Sequence, residues 1–141
     1  MENKMTDPLE IVGVDTDEIT TPTNDGSRGS ALYLVPIRLN RKPTPREAEL
    51  LVTNFDRPSQ WTSMHRPGIA RVAGDRFLLD GTTIDEVKEY HAKTVRLAVD
   101  ATNAKEAELR RQDEAAADTA RAREEEHRKH ISDVSGDIDF S

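Results

Sequence analysis

The sequence predicts an α+β fold: a small antiparallel sheet, in the order β-α-β-β-α, continued by a long charged C-terminal helix. Three observations carry that expectation. Tyr33, Val35, Ile37 and Leu39 recur at the period of two that one face of a strand requires. Thr44-Pro45-Arg46-Glu47 and Thr83-Ile84-Asp85-Glu86 have the spacing of capping boxes, in which the threonine hydroxyl accepts from the glutamate amide and the glutamate side chain reaches back. Between them, Gly74 and Asp75 separate two short apolar runs, and glycine supplies the positive φ that a two-residue hairpin turn demands.

Taken in order, residues 1–30 read as a flexible acidic arm, because 15–30 combine glycines with polar runs and lack apolar periodicity. Within it Leu9, Ile11, Val12 and Val14 form an apolar island, expected to be disordered, weakly attached as a strand, or available for strand addition to a partner. The α+β core is expected over 31–105. In its first strand Pro36 removes a backbone donor, which favours an edge position or a bulge. Pro45 suits the first helical position, and Ala48, Leu51, Val52 and Phe55 follow on one face of the helix it opens. Pro58 to Gly68 interrupts that helix, with Trp61 and Met64 expected to pin the loop to the core. Ile69–Ala73 and Arg76–Leu79 make the hairpin.

From Thr83 to about Ile131 no proline or glycine intervenes, which permits a helix of roughly 48 residues, about 70 Å long. Ile84, Val87, His91, Val95, Ala98 and Thr102, flanked by Tyr90, Leu97 and Ala101, give its first half an apolar stripe. Residues 106–132 consist mainly of alanine and charges, a composition with high helix propensity and little to bury. This extension is expected to be solvated or to pair weakly with a second copy as a coiled coil. Residues 133–141 form an acidic tail carrying Ile138 and Phe140. The element order resembles a ferredoxin-like half without its last strand, a likeness of fold alone.

Charge follows the same zones. Residues 1–30 carry two basic and seven acidic side chains, 31–80 eight and five, and 81–141 ten and fifteen. The net charge of −7 speaks against a surface built throughout to grip phosphate backbones, so protein partners are expected before nucleic acid. The chain has no cysteine, which excludes disulfides, thiolate metal sites and cysteine nucleophiles and suits the cytoplasm. Met1 to Glu10 mixes Lys4 with acids and has no apolar run, so neither a signal peptide nor a membrane anchor is expected there.

No phosphate loop, dinucleotide fingerprint, zincin motif or nucleophile elbow occurs, so no catalytic residue, cofactor or metal is assigned. The densest basic cluster is Arg38, Arg41, Lys42 and Arg46, a candidate contact for a partner or for phosphate near the start of a helix. The loop Trp61, Thr62, Ser63, Met64, His65, Arg66 places a hydroxyl, an imidazole and a guanidinium close together. Its Trp61, Met64, His65 and Arg66 are candidate partner-binding residues. His91 on the apolar stripe reads as a packed, hydrogen-bonded histidine; His127 and His130 share a helical face with glutamates but lack a further ligand. Ser135–Ser141 is similar to the acidic tips of single-stranded-DNA-binding proteins, where aspartates precede an apolar pair that docks on partner enzymes. Here Asp139 precedes Phe140 and Ser141 follows, where those tips end in proline and phenylalanine, so the likeness implies only a linear docking motif.

The function expected on these grounds is that of a non-catalytic protein–protein interaction module, an adaptor, assembly factor or inhibitor. It would be homo-oligomeric because the core is small. An antitoxin-like nucleic-acid-binding regulator using Arg38 to Arg46 is the alternative, and a small enzyme using the His65 loop is the third.

Overall fold

The computed structural model describes residues 7–141; the expectations for residues 1–6 lie outside them. Four strands, β1 (Ile11–Val14), β2 (Tyr33–Leu39), β3 (Ala70–Ala73) and β4 (Arg76–Thr82), form one antiparallel sheet in the order β1-β2-β4-β3. Helix α1 (Pro45–Asp56) follows β2, and after β4 a short α2 (Ile84–Glu86) runs through a wide π turn, Val87–His91, into α3 (Ala92–Gly136). The chain is therefore an α+β protein, as its residue pattern predicts. The described residues divide into two units, 7–104 and 105–141.

In the first unit the period-two face of β2 is the core face. Val35, Ile37 and Leu39 are buried with Phe77 and Leu79 of β4, Leu51 and Phe55 of α1, and Val87, Val95, Ala98 and Val99 of the C-terminal helical run. The helices therefore cover one face of the sheet, the two-layer solution by which an amphipathic sheet hides its apolar side. Gly74 is the first residue of the two-residue hairpin loop and adopts φ 60, while Asp75 has negative φ; this is the II′ pattern that suits strand twist.

The island at 9–14, expected within a flexible arm, is part of this unit. Leu9 is buried in the core, and β1 pairs with β2 through Ile11, Gly13 and Val14, with a bulge at Gly13 where φ is 155. Two reciprocal bonds hold it from the helix side: Asn103 Oδ1 accepts from Leu9 N at 2.9 Å, and Asn103 Nδ2 donates to Leu9 O at 2.9 Å. The segment that follows is tied down by charge rather than by apolar contact. Arg76 reaches Asp15 at 2.8 Å and Glu18 at 2.9 Å, and Thr20 Oγ1 accepts from Leu34 N at 2.8 Å. Polar tethers of this kind have no periodicity, which is why residues 15–20 read as a free arm from sequence.

Pro36 also departs from expectation, since β2 is an inner strand and its register shifts beside Tyr33, while the other bulge is at Gly13 of β1. The reason is local. Asp15 N donates to Pro36 O at 2.9 Å, so the backbone groups of Pro36 face the β1 side, one residue beyond the last ladder pair, Val14 with Ile37. No sheet hydrogen bond needs the donor that proline lacks.

Candidate functional site

Both capping motifs open helices, and they end differently. At α1 the box closes: Glu47 N donates to Thr44 Oγ1 at 3.2 Å and Thr44 N donates to Glu47 Oε1 at 2.9 Å. The same Glu47 carboxylate takes a two-pronged guanidinium contact from Arg41, at 2.7 and 2.6 Å, inside the protein. Burial alone would raise the Glu47 pKa; the Arg41 bonds and charge with the Thr44 amide outweigh it and hold the carboxyl below the ordinary carboxylate range. At α2 only half the box forms, because Glu86 turns away from its cap to bind Arg66 at 3.1 and 2.8 Å and Thr82 Oγ1 at 2.8 Å. Arg66, then Thr82 and the Arg66 charge, lower the Glu86 pKa against burial.

The Arg66–Glu86 clamp fixes the 57–68 loop against the π turn, and together they align four rings. Trp61 and His65 have centroids 5.0 Å apart, His65 and Phe55 5.0 Å, and Phe55 and His91 6.1 Å, so the row runs from surface to core. His91 is fully buried, and none of the described residues hydrogen-bonds to either of its ring nitrogens. Burial depresses the His91 pKa; His65 and Arg66 add to this, while Glu86 opposes it. Both nitrogens of His65 and Oγ1 of Thr62 are likewise buried without a hydrogen-bond partner among the described residues. Such atoms each cost about 1–3 kcal/mol, and π turns recur at functional sites, so the two features together mark this row as the chemically loaded part of the core unit.

The structure revises several expectations about these residues. Trp61 and Met64 do not pin the loop: Trp61 is 63% exposed and Met64 40%, because His65 occupies the place against Phe55. His91 is packed as expected, but not hydrogen-bonded, since its neighbours along the row are rings rather than donors or acceptors. Arg66 is committed to Glu86, and Ser63 faces solvent.

The basic cluster is not one surface. Arg41 is buried with Glu47 and also donates to the carbonyls of Asp7 and Lys42; Arg38 is exposed and faces Asp15 at 3.6 Å; Lys42 and Arg46 are exposed. Arg41 lies six positions before the capping glutamate that claims it, but Lys42 and Arg46 are nearer in sequence, so the pattern alone does not single it out. No group of three or more His, Cys, Asp or Glu side chains among the described residues is placed to hold a metal ion, and His127 and His130 are exposed.

In the second unit every residue from 111 onward is exposed. Large apolar side chains return there only at Ile131, Val134, Ile138 and Phe140, among Asp133, Asp137 and Asp139 and with no lysine or arginine after Lys129. No protein-family model matches the chain, and no curated protein or solved structure is significantly similar to it. No helix among the described residues is long and apolar enough to cross a membrane.

Proposed function

We propose that this chain is a non-catalytic protein–protein interaction module, an adaptor, assembly factor or inhibitor, that works in the cytoplasm as a homo-oligomer. One observation carries the reading: α3 continues for more than six turns after its last partly buried residue, Arg110, to Gly136, and ends in an acidic segment with four exposed apolar side chains. A helix that buries nothing adds nothing to a core, whereas exposed apolar residues set among like charges are the usual anatomy of a docking segment. On the core unit, exposed Trp61 and Met64 beside Arg66 supply a second contact of the residue types that dominate interface energetics. The burial of Arg41 against Glu47 weighs against the antitoxin-like reading, which would use that cation for phosphate.

The test compares affinity capture from the native host by the full chain and by a variant with Ile138→Ser and Phe140→Ser. Partners held by the full chain and lost by the variant, with the native fold retained by circular dichroism, support the proposal. Equal capture by both places docking elsewhere and rejects it.

A further inference from the structure

The sheet ends in two edge strands, β1 and β3, and β3 is the one that adjoins α1. Two clefts of about 550 and 580 Å³ share Ala48 of α1 and Val72 of β3, so they form one groove along that edge. Its floor is apolar, with Pro43, Ala48, Val52, Ala70 and Val72, and Lys42 and Arg71 stand at its rim. The hairpin decides what the edge offers. Ala73 and Arg76 close its two-residue loop, and Asp80 N donates to Ile69 O at 2.9 Å, so residues 69, 71 and 73 spend their backbone groups on β4. The N–H and C=O of Ala70 and Val72 therefore point out over the groove, an unpaired template for an added strand.

The chain also carries a segment of the matching pattern. Asp137, Ile138, Asp139 and Phe140 alternate acid and apolar side chains at period two; they lie past the end of the helix, and Phe140 is 93% exposed. Paired as a strand, Ile138 and Phe140 fall on one face about 7 Å apart, which suits two adjoining clefts, and the aspartates fall on the other face. β3 has four residues, the length of the segment. Charge agrees at the rim, where Lys42 and Arg71, the latter also paired with Asp80 at 3.2 Å, outnumber the acid Glu49, while 131–141 hold three aspartates and no base.

We propose that the groove between α1 and the free edge of β3 receives residues 137–140 of a second copy of this chain, which add a fifth strand to the sheet. The inference rests on the reading of 131–140 as a docking segment and names one occupant for it: the homo-oligomer forms by exchange of tails, and an external partner competes with the groove.

Because the chain has no cysteine, single cysteines report this directly. Full-length protein with Thr53→Cys, at the groove wall, is mixed with full-length protein with Ser141→Cys under mild oxidation, and the mixed disulfide is read on a non-reducing gel. The expected result is a cross-linked heterodimer, absent when the groove cysteine is replaced by Asp17→Cys on the N-terminal segment. It should be lost when the Thr53→Cys chain also carries Val72→Pro, which removes an outward N–H without touching the β3–β4 ladder. Val52→Lys, which places a charge in the groove from the helix side, should abolish it as well and covers the case in which Val72→Pro does not fold. Light scattering should give twice the chain mass for the unaltered protein at micromolar concentration and the monomer mass for Phe140→Ser. A monomeric unaltered protein, an absent cross-link, or one that survives both groove substitutions overturns the inference. If partner capture still depends on Ile138 and Phe140 in that event, the docking reading stands and only the groove as its receptor fails.

Discussion

Helix α3 is one element with two physical lives, and setting residues 92–104 against 111–136 shows what each kind of stability rests on. The first stretch buries Thr94, Val95, Ala98, Val99 and Thr102, and Thr102 Oγ1 accepts from Asn54 Nδ2 of α1 at 3.1 Å. Its helicity is held by the core it helps to form. The second stretch buries no side chain, and what supports it is alanine-rich propensity with pairs one turn apart, such as Glu124 with Arg128 at 3.0 Å. Tertiary burial and local propensity produce the same backbone here, and only the former contributes to global unfolding.

The sharpest contrast comes from ring truncation. Phe55→Ala empties a site with no solvent exposure at the centre of the ring row and should cost about 3–5 kcal/mol. Trp61→Ala, at the exposed end of the same row, should stay near 0.5 kcal/mol. Chemical denaturation of both variants checks the pair, and equal losses would mean the row is not graded from surface to core.

The next effect is one of pH. The neutral form of His91 is favoured in the folded protein, so its pKa is depressed below the unfolded value near 6.5. Its contribution to stability is then fully present above about pH 6.5 and is lost as pH falls below that value toward the folded pKa. The groups facing it are His65, Arg66 and Glu86, and Glu86, whose own pKa is lowered, titrates only at more acid pH. Melting temperature should therefore fall between pH 7.5 and 5.5 in the native chain, and His91→Leu should flatten that slope. An unchanged slope would assign the loss to other groups.

The smallest effect belongs to the exposed half. Ending the chain after Leu109 should lower stability by less than about 1 kcal/mol, a shift of a few degrees, because little buried area is lost. A large fall would show that residues 110–141 are buried in an oligomer, which the tail-exchange dimer permits for 137–140 alone. Ala116→Gly should reduce helicity by circular dichroism while leaving the melting temperature in place, since a residue held only by propensity reports only propensity.

Local rules were enough to read the α+β class, the β2 face, the hairpin at Gly74, both helix starts and the charged helix from the chain itself. Each depends on neighbours within a few residues: a period of two, a threonine three before a glutamate, a glycine that tolerates positive φ. The separation of Arg41 from Arg38 was hidden because a basic cluster in sequence carries no record of which cation a buried carboxylate will claim. The strand at 11–14 was legible as an apolar island but not as part of the sheet, for its place depends on Asn103, 94 residues from Leu9, and on Arg76 reaching Asp15.

What the sequence determined alone was therefore periodic and local: strand, helix and turn, together with the zoning of charge. What only the tertiary structure decided was pairing at a distance. Folding packed His65 and His91, 26 residues apart, against the same Phe55, diverted Glu86 from its cap to Arg66, and left Val72 facing an open groove. The physical reason is that a side chain's preference for helix or strand is settled by its own backbone. Its partners are settled by competition within a shared volume, where ring, ion pair and cap exclude one another.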